Sequence, residues 1–253
     1  MQQRWPDRLW IVRHGESAGN VARHSANAAR RARIELAQRD VDVPLSELGQ
    51  DQSDAVGRWF ADMPAERRPE VLIVSPYLRA RQTAARIQAQ GGLAPDPTGP
   101  IADERLREKE FGVLDRLTRY GIQQEYPEQA EFRRLLGKFY HRPPGGESWC
   151  DVIFRLRSAL DTISLHYGGR RLLIVAHQVV VLCLRYLLEE MDEATILAID
   201  AEGDIANCGV TEYAFDPARG PSGGLVLCRY NFTAPIWREG TPVTVEPPHM
   251  SAR

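Results

Sequence analysis

The sequence lacks the features that mark several large classes of protein. Its 253 residues contain no run that approaches the roughly 18 apolar residues needed to cross a membrane. Lysine and arginine, 32 in all, nearly balance 34 aspartates and glutamates, and the formal net charge is only −2. A strong excess of one charge is what drives bulk binding to nucleic acids and anionic membranes. We therefore expect neither partner, and any recognition of an anion must be local.

Cysteine is also scarce and widely spaced. The chain has four cysteines and no Cys-x-x-Cys pair; they are Cys150, Cys183, Cys208 and Cys228. This spacing suggests neither a zinc site nor a disulfide framework, and it is typical of buried thiols in a reducing compartment. The opening segment MQQRWPDRLWIVRHG has no apolar core of the kind found in signal peptides. We expect a cytoplasmic protein.

What the sequence does contain is a regular alternation of apolar patterns. Short runs rich in β-branched residues predict buried strands at residues 9 to 12, 71 to 74 and 172 to 176. The segments between them repeat apolar residues at helical spacing. This alternation predicts an α/β fold, a three-layer sandwich in which helices cover both faces of a mostly parallel sheet.

After residue 205 the pattern changes. GVTEYAF and LVLCRYNF flank the turn-rich DPARGPSGG, which predicts a hairpin at the sheet edge. We expect one domain over residues 1 to 233 and an extended tail over residues 234 to 253. The Ala- and Arg-rich stretch from 21 to 40 predicts a helix whose arginines face water. A lid or a dimer contact is the alternative, so a homodimer stays open.

Each predicted strand ends in chemically active residues. The first is followed by Arg13-His14-Gly15, the second by Ser75-Pro76-Tyr77-Leu78-Arg79, and the third by His177-Gln178. Because the carboxyl ends of parallel strands meet at one edge of the sheet, these histidines and arginines should share a pocket. Guanidinium groups match phosphate oxygens, and imidazoles can donate hydrogen bonds to them. The predicted ligand is a small phosphorylated metabolite.

A histidine in such a pocket can also act as a nucleophile near neutral pH. That chemistry is phosphoryl transfer through a phosphohistidine, and it needs an acid to protonate the leaving oxygen. The segment DERLREKEFGVLDR offers several carboxyls, and composition does not choose among Glu104, Glu108, Glu110 and Asp115.

The ordered motifs of the chain resemble those of the histidine phosphatase superfamily, which includes cofactor-dependent phosphoglycerate mutases and many phosphatases. The matching pieces are RHGES with Asn20, DVPLSELGQDQ, SPYLRARQTA, LREKEFG, PPGGES and LLIVAHQ. A lone RHG would be weak support. The whole set, in the family's order over most of residues 9 to 215, is specific, and it implies a phosphoglycerate mutase-like fold.

The resemblance also implies roles for single residues. It makes His14 the phosphorylated nucleophile and Glu108 the general acid. Arg13, Arg79 and His177 would clamp the phosphoryl group, with Arg79 preferred to Arg81 because it stands four residues after Ser75. No metal or cofactor is implied, since cationic side chains take the electrostatic role that Mg²⁺ has elsewhere.

A departure from the family pattern bears on the substrate. Most relatives have glycine after the second histidine, which is His177 here, whereas this chain has Gln178. The domain that hydrolyses fructose 2,6-bisphosphate also has glutamine at that place. That domain also has a basic run before its Gly-Glu-Ser, and the run here is Arg134, Lys138 and Arg142. We expect the three residues of this basic run, together with Asn20 and Gln178, to bind substrate. The alternative for the basic run is a solvated charged loop.

PPGGES itself has a structural interpretation, in which Ser148 caps a helix and Asp151 completes a capping box.

The sequence thus predicts a metal-independent phosphatase that hydrolyses a small-molecule phosphate monoester. One alternative is phosphoryl transfer of the phosphoglycerate mutase type, which uses the same residues. The other is a catalytically silent module that binds a phosphorylated ligand.

Overall fold

A six-stranded mixed sheet forms the centre of the protein. The structure is a computed structural model that describes residues 3–94 and 99–245. Numbered along the chain, the strands are β1 (Arg8–Arg13), β2 (Val71–Val74), β3 (Ile101–Ala102), β4 (Arg171–Ala176), β5 (Val210–Asp216) and β6 (Gly224–Phe232). Their order across the sheet is β3-β2-β4-β1-β5-β6.

The pairing of the strands is mostly parallel. β4 lies between β1 and β2 and is parallel to both, and β3 extends the parallel part beyond β2. β5 runs antiparallel to β1, and β6 runs antiparallel to β5 at the sheet edge. The predicted edge hairpin is confirmed. The parallel arrangement brings the carboxyl ends of β1, β2 and β4 to the same edge of the sheet, which is where open α/β sheets bind ligands.

Helices cover both faces of this sheet. In the described part of the chain they are α1 (Ala18–Ala28), α2 (Glu47–Ala61), α3 (Leu78–Ala89), α4 (Arg119–Glu125), α5 (Pro127–Tyr140), α6 (Trp149–His166), α7 (Gln178–Leu188), α8 (Glu193–Glu202) and α9 (Ala234–Arg238). At the start of α6, Ser148 and Asp151 form the capping box that the sequence predicts.

Alternate residues of β1 divide the core into two layers. Leu9 and Ile11 belong to a buried cluster with residues of α6 and α7, whereas Trp10 and Val12 belong to another with residues of α2 and α3. All four side chains are buried, as the period of two in a strand requires when both faces are covered. The prediction of a three-layer α/β fold is confirmed.

The helix predicted over residues 21 to 40 is shorter than expected. α1 ends at Ala28, and Arg30 has a positive φ of 49°, which breaks the helical path. The chain after it pairs instead with the segment around Leu117, since Arg33 and Leu117 form an isolated bridge and the amide of Ile34 donates to the carbonyl of Arg116. Hydrogen bonds to this distant segment replace those that a longer helix would make.

The tail predicted to be extended from residue 234 begins with a helix. In α9, Ala234, Pro235 and Ile236 are buried, and Ile236 joins the core layer of α2 and α3. The prediction of an extended arm is wrong for this part, because an apolar side chain within it packs on the core. Residues 246 to 253 of the predicted tail lie outside the described residues.

Among the residues that the structure describes, no helix is both long enough and apolar enough to cross a membrane.

Candidate active site

His14 lies in the first loop after β1 and is almost completely buried. Its Nδ1 is 2.7 Å from the carbonyl oxygen of Gly15. A carbonyl oxygen can only accept, so Nδ1 carries the proton. In the neutral ring the lone pair is therefore on Nε2, and the Nε of Arg79 points at that atom from 3.3 Å. Nε2 is the atom of this ring that can act as a nucleophile.

Close backbone packing fixes the loop that carries His14. A Cβ atom on Gly15 would lie 2.3 Å from the carbonyl oxygen of Gly49, in the first turn of α2, and a Cβ on Gly49 would lie 1.9 Å from the carbonyl oxygen of Glu16. Neither position has room for a side chain. The glycine of the RHG motif lets the loop lie directly on α2.

His177 follows β4, and its ring lies edge-on to the ring of His14. The two ring centroids are 5.1 Å apart. The Nε2 of His177 is 2.7 Å from the hydroxyl oxygen of Ser75, and that oxygen accepts from the amide of Tyr77 at 3.3 Å. The hydroxyl is then free to donate to Nε2, which leaves the imidazole proton on Nδ1. Within the part of the chain that the structure describes, Nδ1 has no hydrogen-bond partner, and it can donate to a phosphoryl oxygen.

The pKa of His177 lies well below its ordinary value. Burial is the main cause, and the positive charges of Arg79, His14 and Arg13 add to it. A lowered pKa keeps the ring neutral at neutral pH, so His177 is suited to donating a hydrogen bond rather than to carrying charge.

Arg13 and Arg79 are the buried guanidinium groups of the pocket. Arg13 ends β1 and donates to the carbonyl of Ile205, while Arg79 stands in the first turn of α3. Only 2% of Arg13 and 5% of Arg79 are exposed. Arg81, by contrast, is exposed on α3, as expected for a solvated charge.

Glu108 lies close enough to Arg13 and Arg79 for their charges to affect its pKa. Burial raises its pKa, and the charge of Asp40 adds to this effect. The amide of Lys109, which donates to Glu108 at 2.8 Å, and the charges of Arg79 and Arg13 oppose it. A carboxyl with a raised pKa holds its proton more readily, which is what a general acid needs. The structure thus brings His14, His177 and the arginines together, with Glu108 near them.

A buried ion-pair network supports the segment that carries Glu108. Glu147 accepts from Arg155 at 2.9 Å and 3.1 Å, from Arg107 at 2.8 Å, and from the amide of Glu110 at 3.0 Å. Arg155 also donates to the carbonyl of Glu108 at 3.3 Å. Glu147 of the PPGGES motif is therefore a positioning residue, in addition to the turn that the motif makes.

Replacing Glu147 by alanine is expected to destabilise the protein. Removal of one partner from a buried pair leaves Arg155 without its counter-charge, and such changes cost about 3–5 kcal/mol in the free energy of unfolding. The exposed pair of Glu131 and Arg134 provides the control, because Glu131→Ala should change stability little. Urea denaturation of both variants checks this, and equal stability of Glu147→Ala and the native protein would contradict the supporting role.

The same replacement should have a predictable pH dependence. Burial opposes ionisation of Glu147, but the hydrogen bonds from Arg155 and from the amide of Glu110, with the charges of Arg155 and Arg107, lower its pKa below the ordinary 4.5. A group whose pKa is lower in the folded protein stabilises it above the unfolded pKa, and that contribution disappears as pH falls through the folded pKa. The stability difference between Glu147→Ala and the native protein should shrink in acid.

Each member of the predicted basic run has an intramolecular carboxylate partner. Arg134 pairs with Glu131 on α5, Lys138 pairs with Asp200 on α8, and Arg142 pairs with Asp151 at the start of α6. Arg134 and Arg142 are largely exposed, whereas Lys138 is more buried and lies 5.3 Å from the ring of Trp149. The solvated alternative fits Arg134 and Arg142 best, and binding of substrate by these three residues stays a prediction.

The other predicted binding residues are held by hydrogen bonds near the pocket. Gln178 is buried at the start of α7 and donates to Asp204. Asn20 accepts from the amide of Ser17 at 2.9 Å in a capping box. Asn207, whose Nδ2 is 3.4 Å from the Oδ1 of Asn20, also donates to the carbonyl of His14 at 3.1 Å. Contact of Gln178 and Asn20 with substrate stays a prediction.

Sequence reasoning did not identify Asp40 as part of this site. Its carboxylate pairs with Arg79, with Oδ1 3.1 Å from Nη1. No motif marks this aspartate, which lies in a stretch expected to be a solvated helix. The position of Asp40 depends on the path of residues 29 to 39 across the surface, and the sequence pattern does not predict this path.

Within residues 3–94 and 99–245, no group of three or more histidine, cysteine, aspartate or glutamate side chains is arranged to hold a metal ion.

Comparison with known proteins gives a family match over most of the chain. The model of the histidine phosphatase superfamily (branch 1) matches residues 9–222. The bifunctional protein Rv2228c of Mycobacterium tuberculosis is 29% identical over 215 residues, which make up 84% of this chain and 52% of that protein. The chain therefore spans about half the length of the mycobacterial relatives it matches.

Other relatives match over nearly their whole length. The probable phosphoglycerate mutase GpmB of Yersinia pestis is 28% identical over 225 residues, which cover 87% of this chain and 90% of that protein. Among solved structures, a mycobacterial glucosyl-3-phosphoglycerate phosphatase in complex with inorganic phosphate is 25% identical. It aligns with a TM-score of 0.67 and covers 91% of this chain and 99% of its own.

Proposed function

The chain belongs to the histidine phosphatase superfamily, and we propose that it is a metal-independent phosphatase that hydrolyses a small-molecule phosphate monoester through a phosphohistidine. Members of this superfamily are phosphatases or mutases, and the two activities share the same first step. The observation that carries the proposal is the state of His14. Its Nδ1 is tied to a carbonyl oxygen, and its Nε2 lies beside a guanidinium that can hold a phosphoryl group.

In the first step the lone pair of His14 Nε2 forms a bond to phosphorus as the bond to the leaving oxygen breaks. Glu108 gives its proton to that oxygen, so an alcohol leaves rather than an alkoxide. Nδ1 keeps its proton and its hydrogen bond to Gly15, which holds the ring in place throughout. Arg13, Arg79 and neutral His177 stabilise the charge on the phosphoryl oxygens.

In the second step Glu108, now ionised, takes a proton from water as the water oxygen attacks phosphorus. The Nε2–phosphorus bond breaks, inorganic phosphate forms, and both His14 and Glu108 return to their starting states. No step requires a metal ion, since the charge that develops is met by protein cations.

The negative charge near Glu108 supports hydrolysis rather than mutase activity. A mutase must retain an intermediate with two phosphoryl groups. Burial raises the pKa of both Glu108 and Glu110, and the negative charge of Asp40 adds to the rise in each. Negative charge at this place disfavours a second phosphoryl group. The similarity to a glucosyl-3-phosphoglycerate phosphatase supports the same choice.

The test is to measure release of inorganic phosphate and isomerisation of 3-phosphoglycerate side by side. We expect phosphate release from members of a panel of small phosphate monoesters, with little isomerisation. Isomerisation without release would favour the mutase. Repeating the panel with Lys138→Ala and Arg142→Ala shows whether the basic run selects the substrate, since a change in the order of preferred substrates is expected only if it does.

A further inference from the structure

The carboxylate of Asp40 takes the position beside Arg79 that a phosphoryl group would need. Its Oδ1 is 3.1 Å from Nη1 of Arg79 and its Oδ2 is 3.2 Å from Nη2. The main-chain oxygen of Asp40 is also 2.6 Å from Nη1. Two parallel N–H···O bonds to one planar anion are the geometry in which guanidinium groups bind both carboxylates and phosphates.

These contacts involve every nitrogen of the Arg79 side chain. Nε points at His14, and Nη1 and Nη2 donate to Asp40. Arg79 is nearly buried, with 6% of its side chain exposed, so it has little room to turn toward a second anion. Asp40 is 41% exposed and lies on the solvent side of the pair. An incoming phosphoryl group must therefore displace Asp40 rather than move Arg79.

We propose that Asp40 is an internal competitor for the phosphoryl site, which weakens binding of phosphate dianions at Arg79 and speeds release of inorganic phosphate. The inference rests on the proposed function only in taking Arg79 as part of the phosphoryl clamp. Asp40 would determine the affinity for phosphate, whereas the residues already described perform the chemistry.

The chain before Asp40 is held in a way that keeps the carboxylate at the site. Arg116 donates to the carbonyl oxygen of Leu36 at 2.9 Å and to that of Gln38 at 2.6 Å. Asp40 then opens a single 3-10 turn that extends to Asp42. Because these bonds do not involve the Asp40 side chain, its carboxylate can leave Arg79 while the backbone stays in place.

The same turn contains a matched control. Asp42 is an exposed aspartate that pairs with Arg39 at 2.8 Å, and among the described residues no ion pair joins it to Arg79. Changing Asp42 to asparagine removes the same charge from the same turn without freeing Arg79. A general effect of net charge would be the same for both variants, whereas competition at Arg79 affects only Asp40.

The experiment is to titrate the native protein, Asp40→Asn, Asp40→Glu and Asp42→Asn with inorganic phosphate by calorimetry. We expect Asp40→Asn to bind phosphate more tightly by on the order of tenfold, because a negative charge next to the dianion is gone. The same variant should show a lower KM and stronger product inhibition by phosphate. Asp42→Asn should match the native protein, and Asp40→Glu, which keeps the charge, should stay nearer to it than Asp40→Asn.

The outcomes separate this inference from the proposed function. Unchanged or weaker phosphate binding by a folded Asp40→Asn, as judged by its circular dichroism, would overturn competition while leaving hydrolysis untouched. Equal tightening in Asp42→Asn would overturn it too, since the effect would then be one of overall charge. Tighter binding with no hydrolysis of any monoester would support competition and contradict the phosphatase. Absence of phosphate binding in all four proteins would overturn competition, whereas the phosphatase is tested separately by release of phosphate from the monoesters.

Discussion

Replacing His14 by alanine is expected to reduce phosphatase turnover by a factor of at least about 10⁴, the order of loss seen when a covalent nucleophile is removed. The reason is that no other described group could replace Nε2, which lies 3.3 Å from the guanidinium Nε of Arg79. His177 is close, but its Nε2 is engaged by the hydroxyl of Ser75. The measurement is steady-state release of phosphate from an activated aryl phosphate by the native protein and the variant.

His24→Ala is the matched control, because His24 is an exposed histidine of α1. It should retain native turnover. Binding of inorganic phosphate by His14→Ala should persist, since Arg13, Arg79 and His177 remain. Equal turnover in His14→Ala and the native protein would contradict a phosphohistidine route. Activity in neither, with phosphate still bound, would favour the silent binding module.

Replacing Glu108 by glutamine should have an effect that depends on the leaving group. General acid catalysis typically contributes about 10²–10⁴ in rate. We expect a loss of that order with an alkyl phosphate, whose alkoxide leaves poorly without a proton. The first step with a nitrophenyl phosphate should be affected much less, because that leaving group needs little protonation. Comparing the burst of nitrophenol with the steady-state rate separates this step from hydrolysis of the phosphoenzyme.

The pH profile tests the same assignment. The first step needs Glu108 protonated, so kcat/KM should fall as pH rises through its pKa in the free enzyme. Burial raises that pKa above the ordinary 4.5, which moves the fall to higher pH than an exposed glutamate would give. Glu108→Gln should lack this limb.

Glu110→Gln is the control, since Glu110 is the exposed carboxyl two residues further along. A large loss in Glu110→Gln together with a native rate in Glu108→Gln would show that the acid has been misassigned.

Much of the site can be predicted from sequence because its residues stand at strand ends. Apolar runs identify β1, β2 and β4, and in a parallel sheet their carboxyl ends share one edge. That geometry brings Arg13, His14 and His177 together without knowledge of the loops. The choice of Glu108 is different, since spacing leaves several carboxyls open and only resemblance to the family selects one.

The remainder depends on tertiary contacts that no local pattern records. Residues 29 to 39 have the composition of a solvated helix, but the positive φ of Arg30 and the bonds from Arg116 and Ile34 turn them into a crossing segment. Asp40 reaches Arg79 only because of that path. Ile236 in α9 shows the same limit, because the few apolar residues of this proline-rich tail follow neither a helical nor a strand periodicity.

The central claim is that the phosphoryl group is transferred to Nε2 of His14, and the most direct test is to trap that intermediate. The native protein is mixed with a substrate that turns over, quenched in alkali within the first turnover, and measured by intact mass and by phosphorus NMR. We predict one phosphoryl group per chain, on Nε2 of His14, that is missing from His14→Ala and accumulates in Glu108→Gln with an activated aryl phosphate. Turnover with no phosphorylated protein at any quench time, or a phosphoryl group on another residue, would contradict the account.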